Sequence, residues 1–201
     1  MRDLSNIVFF DTETICLESY PGVDTLLSLS MIKDKPGGLT ERKNYKFVMT
    51  GFKANKANPR ALEINGYNEK DWEDAVYFSD VAHEIADFIH GCPLVAHNID
   101  FDLRHLREAF TSVGWSELST WSRNKTEELS DKKYSLGRPF IDTQSLSFLF
   151  TDLERVSLNS LREHLDISTN RAHSADTDTE DCRAVFYYIM DRFLGNQSIN
   201  E

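Results

Sequence analysis

No stretch of the 201-residue chain approaches the run of about 20 apolar residues that a membrane-spanning helix requires, so no membrane association is expected. The amino terminus carries no basic-then-apolar leader. There are 3 cysteines, Cys16, Cys92 and Cys182, far apart and without a CxxC pair. That pattern argues against a disulfide framework and a cysteine zinc site, and a reducing, cytoplasmic setting is the expectation. Repeats, low-complexity tracts and interdomain linkers are missing as well. One domain over residues 1–201, with a short polar tail at 195–201, is therefore expected, long enough to bury a sizeable core. Overall positive charge is also lacking. A net charge of −11 argues against a surface coated in cations for nucleic acid. Residues 31–60 are the exception, with Lys33, Lys35, Arg42, Lys43, Lys46, Lys53, Lys56 and Arg60 against only Asp34 and Glu41. Two readings fit this strip: a polyanion passing one edge, or a hairpin whose lysines protect an edge strand.

The apolar run Ile7-Val8-Phe9-Phe10 reads as a buried strand over 5–10. Residues 25–32 and 45–51 predict two more strands, joined through Pro36-Gly37-Gly38. Asn58-Pro59 opens a short helix that stops at Asn65-Gly66. A helix capped by Ser79 or Asp80 runs to His90, with Val81, Ile85, Phe88 and Ile89 on one face. Residues 93–96 are a short buried strand. From Asn98 or the next residue a helix runs to about Val113, with Phe101, Leu103, Leu106, Ala109 and Phe110 at helical spacing. Residues 115–138 lack clean periodicity, which predicts a short helix or a mobile flap. Trp121, Arg123, Lys125, Lys132, Lys133 and Tyr134 there suit either nucleic-acid contact or a solvated connection. Residues 140–143 run from strand into a helix reaching Phe150, and 157–165 form another. The last helix starts at Ser174 or Ala175 and stops before Gly195. This order predicts an α/β domain with a mixed central sheet flanked by helices.

The buried first strand continues into Asp11-Thr12-Glu13-Thr14. Residues two apart share a face of a strand, so Asp11 and Glu13 project together. Like charges side by side resist ionisation, and hard divalent ions prefer carboxylate oxygen. A solvated polar strand end is the plain alternative. Asp100 and Asp102 lie where the 93–96 strand hands over to a helix. They diverge by about 200° on a helix, Asp102 lies at the edge of the apolar face, and Asp100 is the better N-terminal dipole residue. His173 and Asp178 flank the start of the last helix, which is acidic in any case.

Three segments in this order strongly resemble the motifs of the DnaQ-like 3′→5′ exonucleases, DEDDh subgroup, of the ribonuclease H-like superfamily. They are Phe10-Asp11-Thr12-Glu13-Thr14, His97-Asn98-Ile99-Asp100-Phe101-Asp102 and His173-Ser174-Ala175-Asp176-Thr177-Asp178. Ile141-Asp142-Thr143 and the Leu158, Leu161, Leu165 helix are similar to further landmarks. The histidine subgroup is implied because His173 stands five before Asp178, whereas the tyrosine form would need tyrosine at position 174. The resemblance implies that Asp11, Glu13, Asp102 and Asp178 hold two Mg²⁺ or Mn²⁺ ions. Asp11 then bridges, Glu13 also orients the water, and His173 takes a proton from it. Two such ions about 3.5–4 Å apart clamp the attacking water and the leaving 3′ oxygen. It also implies substrate contacts at Thr12, Thr14, Asn65, Gly66, His97, Asn98 and Phe101. Asn65 departs from the histidine that several members carry, which removes stacking there.

The resulting expectation is a stand-alone 3′→5′ exonuclease on single-stranded DNA 3′ ends that releases nucleoside 5′-monophosphates, without the long tail that tethers some proofreading members to a polymerase. The alternatives are an exoribonuclease or oligoribonuclease of the same family, or a catalytically silent nucleic-acid- or protein-binding module. Oligomeric state and any replication or repair partner are not encoded in a readable way.

Overall fold

The computed structural model describes residues 6–115, 127–129, 132–134, 139–168 and 174–197. Strand β1 (Ile7–Thr14) is central in a five-stranded sheet. It pairs antiparallel with β2 (Leu26–Asp34) and parallel with β4 (Leu94–Ala96). Beyond β2 lies edge strand β3 (Thr40–Lys46), and beyond β4 lies β7 (Phe140–Asp142), giving the order β3-β2-β1-β4-β7. A strand apolar on both faces needs cover on both, and β1 has it. Val8 and Phe10 pack with α3 (Phe78–Ile89) and α4 (Ile99–Ser112). Ile7 and Phe9 pack with Cys182 and Phe186 of α7 (Ala175–Gln197). Short helices α1 (Phe52–Lys56), α2 (Pro59–Ile64), α5 (Thr143–Phe150) and α6 (Leu158–His164) complete the cover. A mixed sheet between helices is the expected architecture. Among the described residues no helix is long and apolar enough to cross a membrane.

Several boundaries differ from the sequence reading. β3 occupies 40–46 rather than 45–51, because a 3₁₀ turn at Pro36–Gly38 lets pairing resume at Asp34 opposite Thr40. Alternating exposure along this charged strand suits an edge, where charge blunts pairing with other chains. In α3, Ile85, Phe88 and Ile89 are buried but Val81 only partly, and Tyr77 rather than Ser79 or Asp80 occupies the cap position. Within 115–138, the described residues are not helical. They form an antiparallel ladder of β5 (Glu127–Leu129) and β6 (Lys132–Tyr134), a pairing that a two-residue separation permits. Trp121, Arg123 and Lys125 lie outside the described residues. Gly195 does not stop α7, since one helical glycine costs only about 1 kcal/mol relative to alanine.

The basic strip is mostly spent on partners within the chain, Lys53 in the interior and the others at the surface. Lys53 is buried, donating to the Leu26 carbonyl at 2.8 Å and pairing with Asp24 at 2.6 Å. Lys35 pairs with Glu41, Arg42 with Glu180, Lys43 with Glu84 and Arg60 with Glu63. Lys46 donates to the Asp71 carbonyl and lies over the Trp72 ring. Edge protection accounts for the β3 members of the strip better than a path for a polyanion does.

Candidate active site

The period of two that builds the core also sorts the acids. Asp11 and Glu13 continue the Ile7/Phe9 face, which looks toward α7. There Asp178, in the first turn of α7, meets them: one carboxylate oxygen from each of Asp11, Glu13 and Asp178 lies within 4.8 Å of the other two. Thr12 and Thr14 continue the Val8/Phe10 face instead, which looks toward α4. β4 ends at Ala96, so the last residues of β1 lack a ladder partner on that side. The Thr12 N–H donates to Asp102 Oδ1 at 2.9 Å and its hydroxyl to the same oxygen at 2.7 Å. Asp102 is thus buried behind β1 and is not among the three acids whose oxygens cluster.

The electrostatics match this crowding. Burial is the main reason that Asp11 is held well above the ordinary carboxylate range. The charges of Asp102, Glu13 and Asp178 add to it, and Arg162 opposes. Glu13 is pushed up to about 8 by burial and then by Asp178 and Asp102. Asp102 rises to about 7 through burial, against the pull of its two Thr12 bonds. Carboxylates so placed share protons until a cation replaces them. Three oxygen donors at such spacing form a donor set suited to a hard divalent ion.

Other expected residues fall into two groups. Asn65 and Gly66 line a cleft of about 660 Å³ together with Glu13. Its floor follows the sheet register, Glu13 opposite Ser28 and Ser28 opposite Lys46, with Ser30 opposite Asn44 alongside. Trp72, Asp71 and Asp74 form one wall, and Ser174, Ala175 and Asp176 at the start of α7 form another. Asn65 Nδ2 donates to the Thr14 carbonyl at 3.0 Å, so its amide braces the end of β1. Thr12 and Thr14 spend their hydroxyls internally, on Asp102 and on the Cys16 carbonyl, which makes any effect of those side chains on a substrate indirect. His97 Nδ1 lies 3.0 Å from Thr143 Oγ1, and burial holds the imidazole below its usual range. Phe101 is half-exposed rather than part of the buried face of α4, its ring 4.6 Å from that of His105. Asn98 sits at the α4 N-cap with φ 65° and no side-chain cap bond. His173 lies outside the described residues.

Two residues with structural weight were not assigned roles from sequence. Asp142 caps α5 and also accepts the Asn98 N–H at 2.8 Å, so it rather than Asp100 receives the N-terminus of α4. Arg162 of α6 is buried against Asp178 and Asp181. The signal for it was present: Leu158 and Arg162 are four apart and share a helix face, so an arginine on a leucine-bearing face needed an acidic partner.

A family model described as Exonuclease matches residues 8–186. The chain belongs to the exonuclease family. NEN2 of Arabidopsis thaliana is 35% identical over 114 residues, which are 56% of this chain and 23% of NEN2. The 3′-5′ exonuclease DinG of Bacillus subtilis is 27% identical over 187 residues, 92% of this chain and 18% of DinG. The chain thus spans less than a quarter of either curated relative. E. coli Exonuclease I in complex with a dA16 oligonucleotide has the same fold, with a TM-score of 0.67 at 15% identity over 94% of this chain and 41% of that one. The DnaQ-like, ribonuclease H-like assignment read from the three motifs therefore holds.

Proposed function

We propose that residues 1–201 form one DEDDh-type exonuclease domain that removes nucleoside 5′-monophosphates from the 3′ ends of single-stranded DNA. The observation that carries this reading is the Asp11–Glu13–Asp178 cluster, of which Glu13 also lines the 660 Å³ cleft. The name of DinG supports the polarity, and the oligonucleotide held by Exonuclease I supports a DNA strand as the ligand. Asp11, Glu13 and Asp178 would hold Mg²⁺ or Mn²⁺, with Asp102 as the fourth acid through the oxygen that Thr12 does not engage. Such ions, when bound, lower the pKa of a water and neutralise charge on the scissile phosphate.

The residues of the chain supply the rest. Glu13 orients the water, and His173 accepts its proton on an imidazole nitrogen. Asn65 and Gly66 bound the pocket of the terminal nucleotide, and Phe101, His97 and Asn98 are the further substrate contacts of this reading. Among the described residues that line the cleft, Lys46 alone is a cation, so few phosphates are neutralised there, which suits a short stretch of strand. The buried thiols of Cys16, Cys92 and Cys182 fit a reducing, cytoplasmic setting.

The test is a 5′-labelled single-stranded DNA and the matching RNA, each incubated with Mg²⁺, with Mn²⁺ or with EDTA. Stepwise shortening of the DNA with either ion, slower shortening of the RNA and none in EDTA are expected. Faster shortening of the RNA would reassign the substrate, and no shortening of either would overturn the enzyme reading.

A further inference from the structure

The guanidinium of Arg162 is 1% exposed and spends its nitrogens on three acceptors. Nε donates to Asp181 Oδ2 at 2.7 Å, Nη1 to Asn159 Oδ1 at 2.7 Å and Nη2 to Asp178 Oδ1 at 2.5 Å. Asn159 and Arg162 are three apart on α6, and Asp178 and Asp181 are three apart on α7. Two helix faces therefore meet through one planar fork. Of the two acids it grips, only Asp178 belongs to the carboxylate cluster.

We infer that Arg162 is a positioning residue for the metal site: by engaging Asp178 Oδ1 it fixes the orientation in which that carboxylate joins the acid cluster. This rests on the nuclease reading of the cluster. It also sets two physical effects against each other. By charge alone, a buried cation beside three carboxylates weakens the binding of a second cation. By geometry, a partner that orients a ligand strengthens binding. Removing Arg162 therefore separates the effects by sign.

The experiment measures Mn²⁺ binding directly, from the free-ion electron paramagnetic resonance signal, on the full chain and its variants, with thermal melting to confirm folding. Arg162→Met and Arg162→Lys are both expected to raise the Mn²⁺ dissociation constant by about 10–100-fold. Lysine keeps the charge but cannot span both acids as the fork does. If Arg162→Met does not fold, Arg162→Lys carries the test. Asp181→Asn, which retains an acceptor for Nε and lies outside the cluster, is expected to bind Mn²⁺ within about twofold of the wild type. Tighter or unchanged binding in the Arg162 variants, or wild-type binding restored by lysine, overturns the inference while the nuclease reading stands. A wild-type protein that binds no Mn²⁺ overturns both.

Discussion

The two faces of β1 begin alike and end differently. Ile7 and Phe9 on one side, Val8 and Phe10 on the other, are equally buried against helices. Past Phe10 the first face becomes Asp11 and Glu13, acids that meet a third acid and are held above their usual range. The second becomes Thr12 and Thr14, whose hydroxyls find partners within the protein. One face therefore carries buried acids that also repel one another, the other satisfied hydrogen bonds. A strand that served only the core would need neither. The repulsive face is where a cation gains most, and the satisfied face keeps the strand end rigid beneath it.

The largest effect that can break this contrast comes from the repulsive face. Asp11→Asn should lower kcat on the order of a thousandfold, since losing a metal ligand forfeits several kcal/mol of transition-state stabilisation. Because asparagine mimics the protonated acid, its metal-free melting point at pH 8–9 should equal or exceed that of the wild type. A lower melting point would mean that Asp11 is a structural acid and that its face carries no strain. On the satisfied face the pattern should invert. Thr12→Val removes the hydroxyl donated to buried Asp102 and should cost about 1.5–3 kcal/mol of stability, together with a loss of activity of about tenfold or more. Unchanged stability in urea unfolding would show that the backbone N–H of Thr12 alone holds Asp102.

A smaller effect is the pH dependence. Glu13 at about 8 and Asp102 at about 7 bind protons more tightly folded than unfolded. Such groups stabilise the fold fully below the unfolded carboxylate pKa of about 4, and that stability is lost as pH rises through the folded values. In EDTA the melting point should fall by a few degrees between pH 5 and pH 9, and saturating Mn²⁺ should flatten the decline. A flat profile in EDTA would remove the repulsion from the first face.

Much of this contrast was legible in the residues. The apolar run named the strand, and spacing by two put Asp11 with Glu13 and apart from Thr12. What stayed hidden depends on contacts distant in sequence. The leucine-bearing face of α6 signals that Arg162 needs an acidic partner, but that the partners are Asp178 and Asp181 follows only from the packing of α6 on α7. Asp102 carries the motif spacing of a ligand, yet its tie to Thr12 follows from β4 being too short to pair there. Lys53 belongs by composition to a basic surface strip, and only its pairing with Asp24 and the Leu26 carbonyl makes it interior. β3 was displaced because the turn at Pro36–Gly38 sets the register, and its charges concealed a strand that alternates in burial rather than in hydrophobicity.

The mildest perturbation lies at the tip of β1, where the two faces meet the cleft. Asn65 donates to the Thr14 carbonyl from the end of α2. This bond is only partly shielded from water, so Asn65→Ala should cost no more than about 0.5–1.5 kcal/mol. Its kinetic signature is more telling than its stability. Asn65 lines the cleft with Glu13 but belongs to neither the acid cluster nor the Thr12–Asp102 tie. Loosening the wall there should raise KM for a single-stranded oligonucleotide several-fold and leave kcat nearly unchanged, the mark of binding lost equally in ground and transition states. A fall in kcat with unchanged KM would instead mean that the Asn65–Thr14 bond aligns Glu13 itself. The brace would then act on the repulsive face through the backbone, and the two faces of β1 would not be separable at their tip.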